Sequence, residues 1–369
     1  MAKVTPWEVS GDVDYDKLIK EFGTEAIDDK LLKRIKKHTG ELHPFLKRGL
    51  FFSHRDINWL LDQYEKGNEF FLYTGRGPSG KTHIGHLLTW ILTKWLQDKF
   101  DVDVYFQITD DEKFLFNPKL SLEETNSLAY ENALDFIALG FNPNKTHIIV
   151  DTDYAGVLYR EAIKVAKKIT FSTVKAVFGF KNDANIGQIF YTSMQAVPAF
   201  LPSVLAGKKI PCLIPHGIDQ DAHFRVTRDV IEKLGYYKPA AIHSIFVPGL
   251  KEGGKMSSSD PYSTIFTTDE PSIVKKKVGR AFTGGKESIE EQRKNGGKPQ
   301  ICTVMAFFKL MFEGDMKKIE KRKDKCESGD LLCGECKKDL AKAINSFLAK
   351  HQAERKKARK KLKKFLLKK

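Results

Sequence analysis

The sequence predicts an α/β fold, a Rossmann-like doubly wound parallel sheet carrying a helical insertion, followed by a C-terminal all-α domain. Three observations carry this. From Phe70 onward, short apolar runs alternate with helical stretches. A Gly/Pro/Ser-rich turn joins the first apolar run to the first long helix. Beyond about residue 270 the strand signals stop and lysine-rich helical text takes over, with one glycine-rich interruption at 284–297.

The elements follow in order. Phe70-Phe71-Leu72-Tyr73 reads as a buried strand, strand 70–74, because four consecutive large apolar residues flanked by turn residues suit a sheet covered on both faces. Leu87 to Phe100 reads as an amphipathic helix. Further strands are expected at 103–109, 146–150 and 210–214, with helices within 121–140 and 156–178 between them. Residues 1–68 mix charged helical stretches (Lys30 to His38, Asp56 to Lys66) with prolines and glycines and read as an N-terminal extension packed on the body. The division is then 1–68 extension, 69–265 Rossmann-like domain with a helical insertion at about 115–205, and 266–369 helical domain ending in a basic tail.

The composition excludes several classes. No apolar run reaches the ~18 residues that a membrane-spanning helix needs, and the first residues lack the charged-then-apolar order of a signal peptide. No membrane role and a cytoplasmic location are expected. Five cysteines in 369 residues argue against a disulfide framework. Cys326, Cys333 and Cys336 contain a C-x-x-C, but a structural zinc site needs four ligands and no second pair stands nearby in the sequence, so no metal is expected there. The net charge of +15, concentrated in ERKKARKKLKKFLLKK, points to a polyanionic partner, although such a run also reads as a solvated helix end.

Two nucleotide signatures overlap in GRGPSGKTHIGH. Gly75-x-x-x-x-Gly80-Lys81-Thr82 satisfies the P-loop pattern, and Asp110-Asp111-Glu112 after the next strand could supply the magnesium carboxylate that a P-loop enzyme requires. His83-Ile84-Gly85-His86 instead satisfies the HIGH signature of class I aminoacyl-tRNA synthetases. The arbiter lies far downstream, where Lys255-Met256-Ser257-Ser258-Ser259, flanked by Gly253 and Gly254, forms a KMSSS variant of the second class I signature that a P-loop NTPase does not require.

With both signatures in place, and with LYTGRGPSG, TKWLQDKF, QITDDEKFL, VKAVFGF, MQAVPAF, CLIPHGIDQDAHFRVTRDV, KMSSSDP and FTGGKESIEEQRKNGG beside them, the chain resembles the tryptophanyl-tRNA synthetases of the eukaryotic and archaeal type over nearly all of residues 50–355. The nearest competing family, the tyrosyl-tRNA synthetases, typically meets the phenol with an aspartate three residues after a glutamine; here the segment is Gln195-Ala196-Val197-Pro198. An indole offers one N–H donor, so its slot needs neutral acceptors at the tip.

The resemblance implies the site. Tyr73 and Gln107 would accept the indole hydrogen, while Glu112, Gln195 and Gln220 would hold the ammonium and backbone of L-tryptophan. His83, His86, Lys255 and Arg76 would act on the phosphates of ATP. Gly75, Gly77, Gly85, Met256, Ser257 and Ser258 would line the ATP site, with Asp219 on its ribose. Mg2+ would accompany ATP with no dedicated protein ligand. The resemblance further implies a homodimer joined through the insertion, tRNA(Trp) as partner, and an anticodon-reading role for the helical domain.

Overall fold

The structure, a computed structural model, describes residues 3–4, 9–10, 13–258 and 260–368. Strands β1 (Lys3–Val4) and β2 (Val9–Ser10) form a small antiparallel pair. Strands β3 (Glu25–Ala26), β4 (Phe51–Arg55), β5 (Phe71–Arg76), β6 (Val104–Ile108), β7 (Thr146–Val150), β8 (Cys212–Gly217) and β9 (Ala240–Ser244) make one seven-stranded sheet in the order β3-β4-β9-β8-β5-β6-β7. The five strands from β9 to β7 are mutually parallel, and β4 and β3 close one edge antiparallel.

The parallel strands are continuous apolar text because both faces are covered: every residue of β6 and β9 is buried. Period-two alternation sends Leu72, Val104, Phe106 and Ile148 to one face, against Leu87, Trp90 and Phe136. Phe71, Tyr73, Tyr105 and Ile149 go to the other, against Leu158, Tyr191, Met194 and Val197. Helix Ile84–Phe100 begins three residues before the expected Leu87. Strand 146–150 matches β7, and the segment expected at 210–214 continues as β8 through His216 and Gly217.

Two expectations need correction. Residues 1–68 are not only an extension on the outside, because they supply β3 and β4 to the main sheet. In β4, Phe51-Phe52-Ser53-His54-Arg55 shows no clean period, yet Ser53 and His54 are buried once paired with His243 and Ile242 of β9. The partner creates the burial, and no partner is visible in the local text; β9 itself, Ala-Ala-Ile-His-Ser, carries too little bulk to announce a strand.

The basic tail is also not a frayed end. Helix Cys333–Lys361 lies along helix Leu122–Ile137, tied by His351 Nε2 to Asp135 Oδ1 at 2.9 Å and by Arg355 to Glu131 at 2.8 Å. The chain then turns onto the open edge of β7, where Ile148 N donates to Phe365 O (2.6 Å) and Leu367 N to Ile148 O (2.9 Å). Phe365 is 2 % exposed. The apolar Phe365-Leu366-Leu367 thus covers an edge that would otherwise present unpaired backbone groups.

β5 and β8 are neighbours, and the chain order reverses between them, since β6 and β7 continue on one side and β8 and β9 on the other. They pair only at Phe71↔Cys212 and Leu72↔Leu213, then diverge. A crevice therefore opens at their carboxyl ends, where doubly wound sheets bind ligands.

Candidate active site

That crevice is a cavity of about 460 Å³. Its lining includes Tyr73, Gly75, Arg76 and Gly77 from β5 and the turn after it, His83, Gly85 and His86 from the next helix, Glu112 after β6, Gln195 from the insertion, and Asp219 and Gln220 after β8. Lys255, Met256, Ser257 and Ser258 close the opposite side. The segments around the two signatures are tied together: Ile84 N donates to Ile265 O (3.0 Å), Thr267 N to Thr82 O (3.0 Å), and Ser258 Oγ to Lys81 O (3.5 Å). Ser259, the last serine of the KMSSS segment, lies outside the described residues.

Gly75 is dictated by close approach to backbone, and Gly77 and Gly85 lie close against neighbouring side chains. A Cβ on Gly75 would stand 2.9 Å from the carbonyl oxygen of Gln107, and one on Gly77 would stand 2.1 Å from Lys113 Cε. On Gly85 it would lie 3.0 Å from His83 Nδ1, between that ring and Val247. The glycine of HIGH therefore lets the first histidine fold back over the helix start. His83 and His86 stack with ring centroids 3.5 Å apart, and the backbone N–H of His83 donates to His86 Nδ1 at 3.2 Å. That bond leaves the proton of a neutral His86 on Nε2.

Burial holds both imidazoles well below the usual histidine range, and the nearby Arg76 guanidinium adds to it. Each is therefore a neutral donor at physiological pH. Arg76 donates through Nε to Asn132 Oδ1 (3.1 Å), while among the described residues its buried Nη2 has no hydrogen-bond partner. Burial pulls its guanidinium down to about 10, so it stays cationic at neutral pH. Lys255 Nζ lies 3.0 Å from Asp219 Oδ2. Positive charge and N–H donors thus concentrate at one end of the cavity.

The other end is a neutral slot. The Tyr73 hydroxyl donates to Gln107 Oε1 (2.5 Å) and accepts from Gln195 Nε2 (2.7 Å). Tyr191 donates to Gln195 Oε1, and Gln107 Nε2 is held by both oxygens of Asp151 at 3.0 and 2.8 Å. Tyr73 lines the cavity, and Gln107, buried like Tyr73 itself, is hydrogen-bonded to its hydroxyl. Between the two ends, Glu112 Oε2 accepts from Thr109 (2.9 Å) and Oε1 meets Lys113 Nζ (2.7 Å). Burial alone would raise this carboxyl, but Lys113 outweighs it and keeps Glu112 ionised below its ordinary range.

The P-loop reading fails on geometry. Lys81 is exposed and does not line the cavity, Thr82 is spent on Asn132 (3.2 Å), and the helix starts at Ile84, two residues after the threonine. Asp110, which would have to reach a magnesium ion, accepts instead from Thr152 N at 3.1 Å. Several contributors were missed in the sequence. Lys113 follows Glu112 directly and was findable by its place beside a candidate acid. Asn132, which gathers Arg76, Thr82 and the Gly80 carbonyl, comes from another helix with no local signal, and Tyr191 looks like any core aromatic.

Comparison with known proteins agrees with this geometry. Residues 65–349 match the family described as tRNA synthetases class I (W and Y). The chain is 50% identical over 359 residues to the tryptophan--tRNA ligase of Pyrobaculum calidifontis, covering 97% of this chain and 96% of that one. It is 51% identical to the tryptophan--tRNA ligase of Thermococcus onnurineus, covering 98% and 94%. Among solved structures, the tryptophanyl-tRNA synthetase of Encephalitozoon cuniculi, bound to tryptophan, superposes with a TM-score of 0.87 at 35% identity, covering 97% of this chain and 99% of that one. The synthetase of Aeropyrum pernix superposes with a TM-score of 0.87 at 32% identity, covering 96% of each. A HIGH turn and a KMSSS loop lining one cavity that ends in a neutral slot, on a chain related this closely along almost its whole length, place it in the class I tRNA synthetases, as a member of the tryptophan--tRNA ligase family.

Proposed function

We propose that the cavity activates L-tryptophan with ATP and passes it to tRNA(Trp) through the residues described above. The indole enters the neutral slot with its N–H on the Tyr73 hydroxyl, and the ammonium is met by Glu112, Gln195 and Gln220. The carboxylate oxygen attacks the α-phosphorus; the bond from that phosphorus to the bridging oxygen breaks, and its electron pair leaves with pyrophosphate. No side-chain nucleophile is required, so the work of the site is positioning and charge stabilisation. Neutral His83 and His86 donate N–H groups, Arg76 brings its unpartnered Nη2 to the α-phosphate, and Lys255 leaves Asp219 to reach the outer phosphates. Asp219 is thereby released toward the ribose, and Gly77 and the KMSSS hydroxyls of Ser257 and Ser258 face the chain of phosphates.

Mg2+ would travel with the triphosphate. The donor set at the phosphate end is cationic or N–H, and the carboxylates of Glu112 and Asp219 are each paired with a lysine, so these residues do not make a cation site of their own. The ion would neutralise charge on the leaving pyrophosphate.

The helical residues 266–369 are read as the tRNA-binding domain, in line with the excess of lysine there. A homodimer through the insertion is supported by exposed large apolar residues on and beside it, Phe114, Leu122, Tyr159, Ile163, Phe171 and Ile186, the last 80 % exposed. A cytoplasmic setting fits five free cysteines, and no described helix is long and apolar enough to cross a membrane.

The single observation that carries the mechanism is the meeting of Lys255 with His83 and His86 in one cavity. The test is a pair of variants in tryptophan-dependent ATP–pyrophosphate exchange. Lys255→Ala should lose about 100-fold or more in kcat, and Lys81→Ala should stay within a factor of about two. The reverse pattern would restore the P-loop reading.

A further inference from the structure

Asp151 stands immediately after β7, where its backbone N–H donates to Ile108 O at the end of β6 (3.1 Å). Gln107 of β6 pairs with Ile149 of β7, and Tyr105 of β6 pairs with Tyr73 of β5, so period two carries Tyr73, Gln107 and Asp151 to one face of the sheet. None of the three is more than 1 % exposed, so their polar atoms must be satisfied within the protein.

A phenolic hydroxyl has one proton to give and two lone pairs to accept with. Here the proton goes to Gln107 Oε1 (2.5 Å), with Gln195 O farther away at 3.3 Å, and one lone pair takes the amide hydrogen of Gln195 Nε2 (2.7 Å). By count one lone pair is left, and the hydroxyl can only accept from a further partner. That polarity depends on which end of the Gln107 amide meets Tyr73. With the amide turned over, Gln107 Nε2 would fill the second lone pair, and no acceptor would remain.

Asp151 forbids the turned amide. Its two oxygens stand 3.0 and 2.8 Å from Gln107 Nε2, so a carbonyl oxygen in that place would meet oxygen. A proton on Asp151 does not undo this. Burial raises both Asp151 and Asp111, the latter to about 7, and the two carboxyls are hydrogen-bonded to each other, so the proton that Asp151 keeps is held toward Asp111. Asp111 Oδ1 accepts in addition from Glu112 N at 2.7 Å, which fixes its carboxyl.

We propose that Asp151 is a specificity-determining positioning residue: by holding the Gln107 amide in one orientation it makes the Tyr73 hydroxyl an acceptor, and so selects an amino acid whose ring donates an N–H. The proposal rests on the reading above, in which the indole N–H meets Tyr73. Asp151 does not line the cavity, so it acts only through Gln107.

The experiment is pyrophosphate exchange with tryptophan and with its isostere in which oxygen replaces the ring N–H, a ring that can accept there but not donate. Wild type and Asp151→Asn, whose amide offers oxygen to Gln107 and N–H to Asp111, should prefer tryptophan by roughly 10- to 100-fold in kcat/KM, and in Asp151→Ala the preference should shrink to within about threefold, the loss lying in KM for tryptophan. A residue that only supports the fold would slow both substrates alike. Asp151→Ala that keeps the wild-type preference therefore overturns the proposal, as does Asp151→Asn that loses it. Tyr73→Phe separates the two readings: if it keeps the preference, the slot reading itself fails, and if it loses the preference while Asp151→Ala keeps it, only the role of Asp151 fails. Should Asp151→Ala not fold, neutron diffraction from the wild type decides. A Tyr73 deuteron on Gln107 Oε1, with the amide deuterons toward Asp151, supports the proposal; a Gln107 amide deuteron on the Tyr73 oxygen overturns it.

Discussion

Replacing Tyr73 with phenylalanine tests the neutral slot most directly. The hydroxyl donates to Gln107 Oε1 at 2.5 Å and accepts from Gln195 Nε2 at 2.7 Å, and Tyr73 lines the cavity. Removal leaves a buried acceptor and a buried donor unsatisfied, each costing about 1–3 kcal/mol. Gln195 keeps Tyr191 and Gln107 keeps Asp151, so the loss in folding stability should fall at about 2–4 kcal/mol in a urea titration. Binding loses one hydrogen bond to the indole, again about 1–3 kcal/mol, which corresponds to roughly 10- to 100-fold in kcat/KM for tryptophan. The discriminating assay is pyrophosphate exchange with tryptophan and with its isostere in which sulfur replaces the ring N–H. Wild type should prefer tryptophan by that factor, because a site built around a hydrogen bond rejects a ligand that lacks it. In Tyr73→Phe the preference should collapse toward unity. An equal loss on both substrates, with the preference retained, would refute the reasoning and reduce Tyr73 to a packing group.

Two other outcomes are expected. His216 and His223 are buried, and burial pulls them down to about 3 and about 4, so the folded chain keeps them neutral while the unfolded chain takes up protons below about 6.5. Stability should therefore be full above about pH 6.5 and fall as pH drops toward 4, by up to about 1.4 kcal/mol per pH unit for each histidine. Urea midpoints flat between pH 7.5 and 5 would contradict this. Phe365→Ala removes a fully buried ring from the tail at β7 and should cost about 3–5 kcal/mol in chemical denaturation, with little change in pyrophosphate exchange; a neutral variant would mean that the tail only rests on the sheet edge.

The catalytic half of this protein was unusually legible. Gly75 is fixed by its approach to the Gln107 backbone and Gly85 sits close against the His83 ring, and such contacts demand particular residue types in a short stretch, which makes a motif. The same is true of KMSSS, where a lysine needs a mobile, glycine-flanked loop. Strands β5 to β8 announced themselves because a parallel sheet buried on both faces must be written in apolar residues. The resemblance then carried Glu112, Gln195, Gln220 and Asp219 to positions that all line the cavity.

By itself the sequence determined the α/β class, the parallel core, both signatures and the family, since each depends on local composition or on a short spaced pattern. Only the tertiary structure decided that Lys81 lies outside the cavity, that Tyr73 and Gln107 are hydrogen-bonded to each other, that β4 belongs to the sheet, and that the basic tail ends as an edge cover. Each of those turns on which surface meets which across long stretches of chain. Burial and hydrogen bonding between remote segments are properties of the packed molecule, and no window of neighbouring residues contains them.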